Sequence, residues 1–251
     1  MTRADHLRAI REREMEGVLG LFPSGARVLE VGAGAGYQAR YLADRGFSVE
    51  ALDLESSEYL PSSVYPTRLY RGDEIPFADG SFDVVFSSSV LEHVQRLEPF
   101  LRETRRVLRN DGLAVHVLPT PGWRFWTSTT HFAWVVTQVV RLATPAHAST
   151  GAAGRPATGA GSPPWRLAWR AAVPAAHGCR GNATSELWLF SRSRWANEFT
   201  RAGFELLSVR PNQLFYSGYC ILGERLSVEV RRRLSSLLGS SCFVYTLRKV
   251  Q

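Results

Sequence analysis

In VLEVGAGAGYQARYLADRGFSVEALDLE, residues 28–55, glycines stand at Gly32, Gly34 and Gly36. Glu30 precedes them, and Asp53 follows about twenty residues on. A glycine-rich turn from a strand into a helix lets the backbone approach a ligand with no Cβ in the way. An acid at the end of the next strand can accept hydrogen bonds from both hydroxyls of a ribose. Farther along, LEHV carries His93, whose side chain titrates near neutrality and suits a general base. A dinucleotide fits part of this pattern through G-x-G-x-x-G/A. The place of its third glycine is Tyr37, where a tyrosine is expected to obstruct close helix–strand packing. The alternative ligand is S-adenosylmethionine, which has an adenosine and an amino acid but no phosphate. It needs close approach at the methionine end, a clamp on the ribose and a slot for the adenine.

These residues need a frame. ARVLEVG reads as a short buried strand running into the glycines, and YQARYLADRG as a helix stopping at Gly46. FSVEALDL alternates like a second strand, TRLYRGD is a candidate third, and SFDVVFSSS is a β-rich run after a turn. EPFLRETRRVLRNDG places Phe100, Leu101, Val107 and Leu108 near one helical face and ends at Asn110-Asp111-Gly112, before the strand GLAVHVLPT. Strands and helices therefore alternate from residue 27 to about 119, which implies βαβ units and a parallel sheet covered on both faces. Regularity lapses over residues 120–182 and returns with the helix SRSRWANEFTRAG and the strand FELLSVRP. A helix with Leu226, Val230, Leu234 and Leu237 on one side follows, then a last strand CFVYTLRK.

Composition narrows the class. The chain has 251 residues, enough for one α/β core with an insertion. Cys179, Cys220 and Cys242 lie far apart and form no disulfide framework, so a reduced, cytoplasmic setting is expected. The charged start MTRADHLRAIREREMEG has no apolar signal core and reads as a short amphipathic helix. The net charge of +7 comes almost wholly from scattered arginine, with Lys249 the single lysine. That is composition bias rather than a nucleic-acid surface, and the run Arg231–Arg233 reads as a solvated helix face.

Several ordered pieces together resemble the class I S-adenosylmethionine-dependent methyltransferases, in their small-molecule and lipid-type (type 11-like) branch. VLEVGAGAG is similar to the first motif, VEALDLE to the second-strand acid, and GDEIPFADGSFDVVFSSSVLEHV to the longest signature of that branch. RRVLRNDGLAVHVLPT is similar to the helix and glycine turn before the fifth strand. The resemblance runs from about residue 25 to 120 and resumes weakly at 190. It implies a Rossmann-like, doubly wound, mostly parallel seven-stranded α/β sheet with an antiparallel last strand. Residues 1–251 form one domain in this reading, with 120–182 inserted as a helical or loop lid. The implied cofactor is S-adenosylmethionine. Gly32, Gly34 and Gly36 line its methionine portion, and Glu30 orients that turn or meets the ammonium. Asp53 takes the ribose hydroxyls and Leu54 packs on adenine. Asp73 accepts from the adenine amino group with Glu74 and Ile75 beside it, and Ser88 offers backbone to the amino-acid end. His93 faces cofactor and acceptor as the candidate catalytic base, weighed against a role in holding its loop. Asp79 and Asp83 read as turn and strand-capping residues.

The acceptor is expected to be a hydroxyl on a small molecule, sugar or lipid-linked intermediate, with nitrogen and carbon acceptors as alternatives. Ser87-Ser88-Ser89 stands where methylases of exocyclic base amines resemble (N/D)-P-P-(Y/F), and no cysteine stands there for pyrimidine chemistry. No nucleic-acid partner follows, and His177-Gly178-Cys179 is too sparse to read as a metal site. Residues 120–182 set tryptophans and phenylalanines beside arginines. They read as a lid on an apolar pocket or as a peripheral contact with the inner face of a membrane through residues 123–142. Arg124, His131, Gln138 and Arg141 interrupt that stretch, against a span. His131, His177 and Glu186 are further candidates for touching the acceptor. The stretch AHASTGAAGRPATGAGSPP reads as a mobile loop. A catalytically idle, partner-binding relative and a nicotinamide dehydrogenase are the competing classes.

Overall fold

The computed structural model describes residues 3–143, 173–218 and 226–250. The Ala/Gly/Pro/Ser stretch, Trp165, Trp169 and Cys220 lie outside the described residues. The strands are β1 (Arg27–Val31), β2 (Ser48–Leu54), β3 (Thr67–Tyr70), β4 (Phe82–Ser88), β5 (Leu108–Pro119), β6 (Phe204–Pro211) and β7 (Cys242–Lys249). The helices are α1 (Arg3–Leu19), α2 (Tyr37–Ala43), α3 (Leu97–Val107), α4 (Pro121–Ala143), α5 (Glu186–Leu189), α6 (Arg192–Arg201) and α7 (Val228–Leu238).

All seven strands form one sheet in the order β3-β2-β1-β4-β5-β7-β6. The first five pair in parallel, and β7 inserts antiparallel between β5 and β6. A parallel sheet must be covered on both faces, so its central strands are apolar throughout. Neighbouring residues accordingly go to opposite cores. Leu29, Val85 and Tyr245 join α3 and α6 through Leu101, Trp195 and Phe199. Val28, Val84 and Val244 join α1 and α2 through Met15, Val18 and Leu42.

Helix α3 follows its apolar spacing, burying Leu97, Phe100, Leu101, Thr104 and Val107. It ends at Val107, earlier than the Asn-Asp-Gly signal suggests. Leu108 already pairs with Phe82, and the register then jumps to Leu113 opposite Val84, so residues 109–112 bulge from the strand. Helix α7 departs further from expectation. Its inward residue is Arg231, whose guanidinium donates to the carbonyls of Phe215 (3.0 Å) and Leu226 (3.2 Å). Arg232 and Arg233 are exposed and pair with Glu229. The expected apolar face is turned out at Val230 and Leu237, the latter 81% exposed. The helix forms as its spacing predicts, but the carbonyls of Phe215 and Leu226 take a guanidinium donor where an aliphatic neighbour was expected.

Helix α1 is tied to the far side of the sheet by a buried polar cluster. Glu14 accepts from Tyr216 Oη (2.6 Å), Asn212 Nδ2 (3.0 Å) and Arg11 Nη1 (2.7 Å). Burial holds the Tyr216 phenol well above its ordinary pKa, and the carboxylate of Glu14 raises that of Arg11. No helix among the described residues is long and apolar enough to cross a membrane.

Candidate active site

The carboxyl ends of β1, β2 and β4 surround a cavity of about 650 Å³. That is where an open α/β sheet reverses its strand order and binds ligands. The glycine turn forms one wall. Gly32, Gly34 and Gly36 have φ of 75°, 56° and 77°, all left-handed. At Gly32 an added Cβ would stand 2.4 Å from Val90 Cγ2, so glycine is required by close approach as well as by conformation. Gly36 is pressed against Tyr65 and supports the turn from behind. The turn is fastened to β2: Gly32 and Ala33 donate to the Leu52 carbonyl at 2.8 and 3.1 Å.

Asp53 lies beside the turn at the end of β2, 8% exposed. Its Oδ2 accepts from Gly34 N–H (2.7 Å) and Ser57 Oγ (3.1 Å), and Oδ1 from Leu54 N–H (2.7 Å). These bonds fix the carboxylate and leave lone-pair capacity for further donors, because an ionised carboxylate offers about four acceptor sites. Leu54 and Gly72 border the cavity together; a Cβ on Gly72 would approach Leu54 Cδ2 to 3.1 Å. Tyr70 lines it too, its phenol pushed up to about 12 by burial and then by Asp53.

Glu30 lies beneath the turn, 1% exposed, and neither carboxylate oxygen has a hydrogen-bond partner. Burial pushes its pKa up to about 8, opposed by the Ala39 amide, which is near but outside hydrogen-bond geometry, and helped by the charge of Asp53. A buried, unpaired carboxyl group is complementary to a cation brought to the turn.

Other expected positions are arranged differently. Asp73 and Glu74 are exposed and do not border the cavity. Ile75 is a core residue, 1% exposed. Its amide donates to Glu103 Oε2 (3.0 Å) and its carbonyl accepts from Arg106 Nη2 (2.8 Å), which turns the loop onto α3 and leaves Gly72 at the wall. Ser89, not Ser88, borders the cavity after β4, with φ 56°. Ser88 Oγ instead accepts from Arg11. Tyr37 is 46% exposed, and Ala39 and Leu42 pack α2 on the sheet, so this tyrosine obstructs nothing. Tyr37 therefore does not by itself exclude a dinucleotide. Asp83 accepts from the Arg27 amide at 2.7 Å and from Arg109, and Asp79 from Arg106 at 2.8 Å, as strand-end and turn residues do.

His93 borders the cavity on a short turn of 3-10 helix, Leu91–His93, with its side chain 45% exposed. Burial lowers its pKa, against the opposing charge of Glu92. Glu92 is wholly buried behind it, Oε1 lying 4.0 Å from His93 Nε2 and 3.6 Å from His177 Nε2. Glu186 is no wall residue: Oε1 accepts from the His177 and Gly178 amides (2.8 and 2.7 Å), and Oε2 lies 3.1 Å from Arg124 Nε. That pair is buried, its side chains 0% and 2% exposed, and Arg124 also donates to the Ala175 (2.8 Å) and Ala183 (3.3 Å) carbonyls. Arg124 interrupts an apolar stretch in sequence because it fastens the returning segment to α4. His131 is buried against Phe132 and Trp134.

The family model described as “Methyltransferase domain” matches residues 29–116. An “Uncharacterized methyltransferase” of Mycobacterium sp. (strain JLS) is 40% identical over 97 residues, covering 37% of this chain and 38% of the relative. The “Malonyl-[acyl-carrier protein] O-methyltransferase” of Geobacter sulfurreducens is 34% identical over 127 residues, covering 45% and 48%. The chain thus spans less than half the length of these curated relatives. Among solved structures, an S-adenosylmethionine-dependent methyltransferase from Mesorhizobium loti superposes with a TM-score of 0.55 at 19% identity, covering 94% of this chain and 98% of that one. Its likeness is one of fold. Strand order and the antiparallel seventh strand agree with that fold, and over residues 29–116 the chain is similar to the methyltransferase domain family.

Proposed function

We propose that this protein transfers a methyl group from S-adenosylmethionine to an oxygen of a small-molecule, sugar or lipid-linked acceptor. The observation that carries the reading is the cavity at the β1/β4 reversal, lined by an open glycine turn with Asp53 bonded to it. Gly32 and Gly34 would admit the methionine end, Asp53 the ribose hydroxyls, and Leu54 with Gly72 the flat base. Glu30, protonated below about pH 8 in the unliganded protein, would ionise as an ammonium arrives beside it. When bound, the cofactor supplies an electrophilic sulfonium methyl.

The chain's own work is positioning, water exclusion and proton handling. A preset turn and acid align the reacting groups without reorganisation. His93 presents a ring whose pKa is lowered, so near neutrality it carries a free lone pair for an acceptor proton. A placed base of this kind contributes about 10²–10⁴-fold. The oxygen acceptor is supported by this nitrogen and by the name of the Geobacter relative. Helix α4 supports a lipid-linked acceptor: Phe125, Phe132 and Val136 are 52%, 52% and 61% exposed and recur on one helical face. The 120–182 segment would then belong to the same domain as its acceptor cover, at a membrane surface.

The test is calorimetry with S-adenosylhomocysteine, followed by labelled methyl transfer into fractionated lipids, glycans and small metabolites. Binding, plus label in an alkali-stable or ester-type O-methyl product that disappears in His93→Ala while cofactor affinity holds, is expected. Absence of heat with either adenosyl ligand would favour a catalytically idle partner protein. A rise in melting temperature with NADH alone would revive the dehydrogenase.

A further inference from the structure

The segment returning from the insertion meets the Leu91–His93 turn at close quarters. Cys179 N–H donates to the Glu92 carbonyl at 3.0 Å. Gly178 lies so near that an added Cβ would stand 2.7 Å from the same oxygen. Trp123 backs the His177 ring at 4.5 Å between centroids, and the rings of His177 and His93 are 4.8 Å apart. One carboxylate and two imidazoles are thereby gathered, their nearest ligand atoms all within 4.8 Å of one another.

The carboxylate decides what the cluster is for. Glu92 is fully buried, and neither oxygen makes a hydrogen bond. The neighbouring carboxylate, Glu186, already has Arg124 and two backbone amides. A buried carboxylate without such partners is costly, and a cation held jointly with two imidazoles satisfies it. Two histidines and one carboxylate, with further positions open, suit a divalent transition-metal ion. Metal–ligand bonds of about 2.0–2.2 Å place neighbouring ligand atoms about 3–3.5 Å apart, so Glu92 and His177 are already near ligand spacing and the widest pair must close by about 1 Å or more.

We propose that Glu92, His93 and His177 bind one divalent transition-metal cation of the zinc type at the acceptor end of the cavity. His93 borders the cavity, so the open positions face the acceptor. An acceptor hydroxyl bound there would be acidified by the ion and release its proton to water, and His93 would act as a ligand rather than as a free base. This use of the ion rests on the methyl-transfer reading; its binding does not.

The experiment uses the whole chain, with Cys179→Ser alongside wild type because that thiol lies two residues from His177. Zn²⁺ is titrated against a chromophoric chelator, and Co²⁺ absorption reports coordination. One equivalent is expected in both proteins, with affinity at least tenfold lower in Glu92→Gln and in His177→Ala, checked for folding by thermal melting. Should either fail to fold, the half-exposed His93→Ala serves instead. No stoichiometric zinc, or zinc affinity indifferent to these changes, overturns the site. S-adenosylhomocysteine binding is read separately on zinc-free protein: its presence without zinc binding sinks this inference alone, and its absence with zinc binding sinks the methyl-transfer reading alone.

Discussion

At one end of the cavity, Gly32, Gly34, Asp53 and Leu54 all come from one strand–helix–strand unit. At the other end, Glu92 meets His177 of the insertion, and the meeting is held by the buried Arg124–Glu186 pair. The first end is a matter of backbone: left-handed glycines, amides bonded to β2, and an acid fixed by three donors. The second is a matter of buried charge, where each group depends on partners distant in sequence. Local backbone geometry is robust to change elsewhere, whereas buried ionic clusters fail when one member is lost.

The comparison breaks most visibly at Arg124. Arg124→Leu should destabilise the fold by about 3–5 kcal/mol, because Glu186 stays buried without its cation. Differential scanning calorimetry should show a melting temperature lower by roughly 10 °C. Affinity of the folded protein for S-adenosylhomocysteine should stay near wild type; a large loss would mean that the two ends are one cooperative unit.

Glu30 sharpens the contrast through pH. Its pKa rises to about 8 on folding, so its contribution is fully present below its ordinary value and lost as pH climbs through about 8. The unliganded wild type should lose stability from this group between about pH 4.5 and 8, by a few kcal/mol. Glu30→Gln should melt higher at pH 8, lack that decline, and bind S-adenosylhomocysteine more weakly. Parallel melting curves for the two proteins from pH 5 to 9 would refute the unpaired carboxylate.

Asp53→Ala removes a charged acceptor from the cavity wall, worth about 1.5–3 kcal/mol, or about 10–100-fold in cofactor affinity by calorimetry. Unaltered affinity would show that the acid serves only Gly34, Leu54 and Ser57. The smallest effect expected is at the surface of α4. Phe132→Ser with Val136→Ser should weaken cosedimentation with anionic vesicles by about 1 kcal/mol for each half-inserted side chain. Equal partitioning would leave this helix as a lid alone.

Much of the glycine turn and of the strand that carries Asp53 could be read from residue order. Glycines, a following acid and alternating strand patterns are short-range signals, and short-range geometry realises them. Asp73, Glu74 and Ile75 show the limit: adjacent to the wall in sequence, they are drawn away because Arg106 and Glu103 capture the Ile75 backbone. Arg231 shows the same limit in a helix, where an inward guanidinium answers to carbonyls that no periodicity reveals. The meeting of His177 with Glu92 and His93 is likewise invisible in the residue order, because those residues lie more than eighty positions apart.

By itself, the order of residues determined the parallel core, the glycine turn and the acid facing it, because backbone conformation and strand burial depend on near neighbours. Tertiary structure alone decided which carboxylates are paired and which are not, where Arg124 and Arg231 are buried, and that His177 reaches His93. Those outcomes depend on desolvation, and desolvation is set by what the rest of the chain packs around a group.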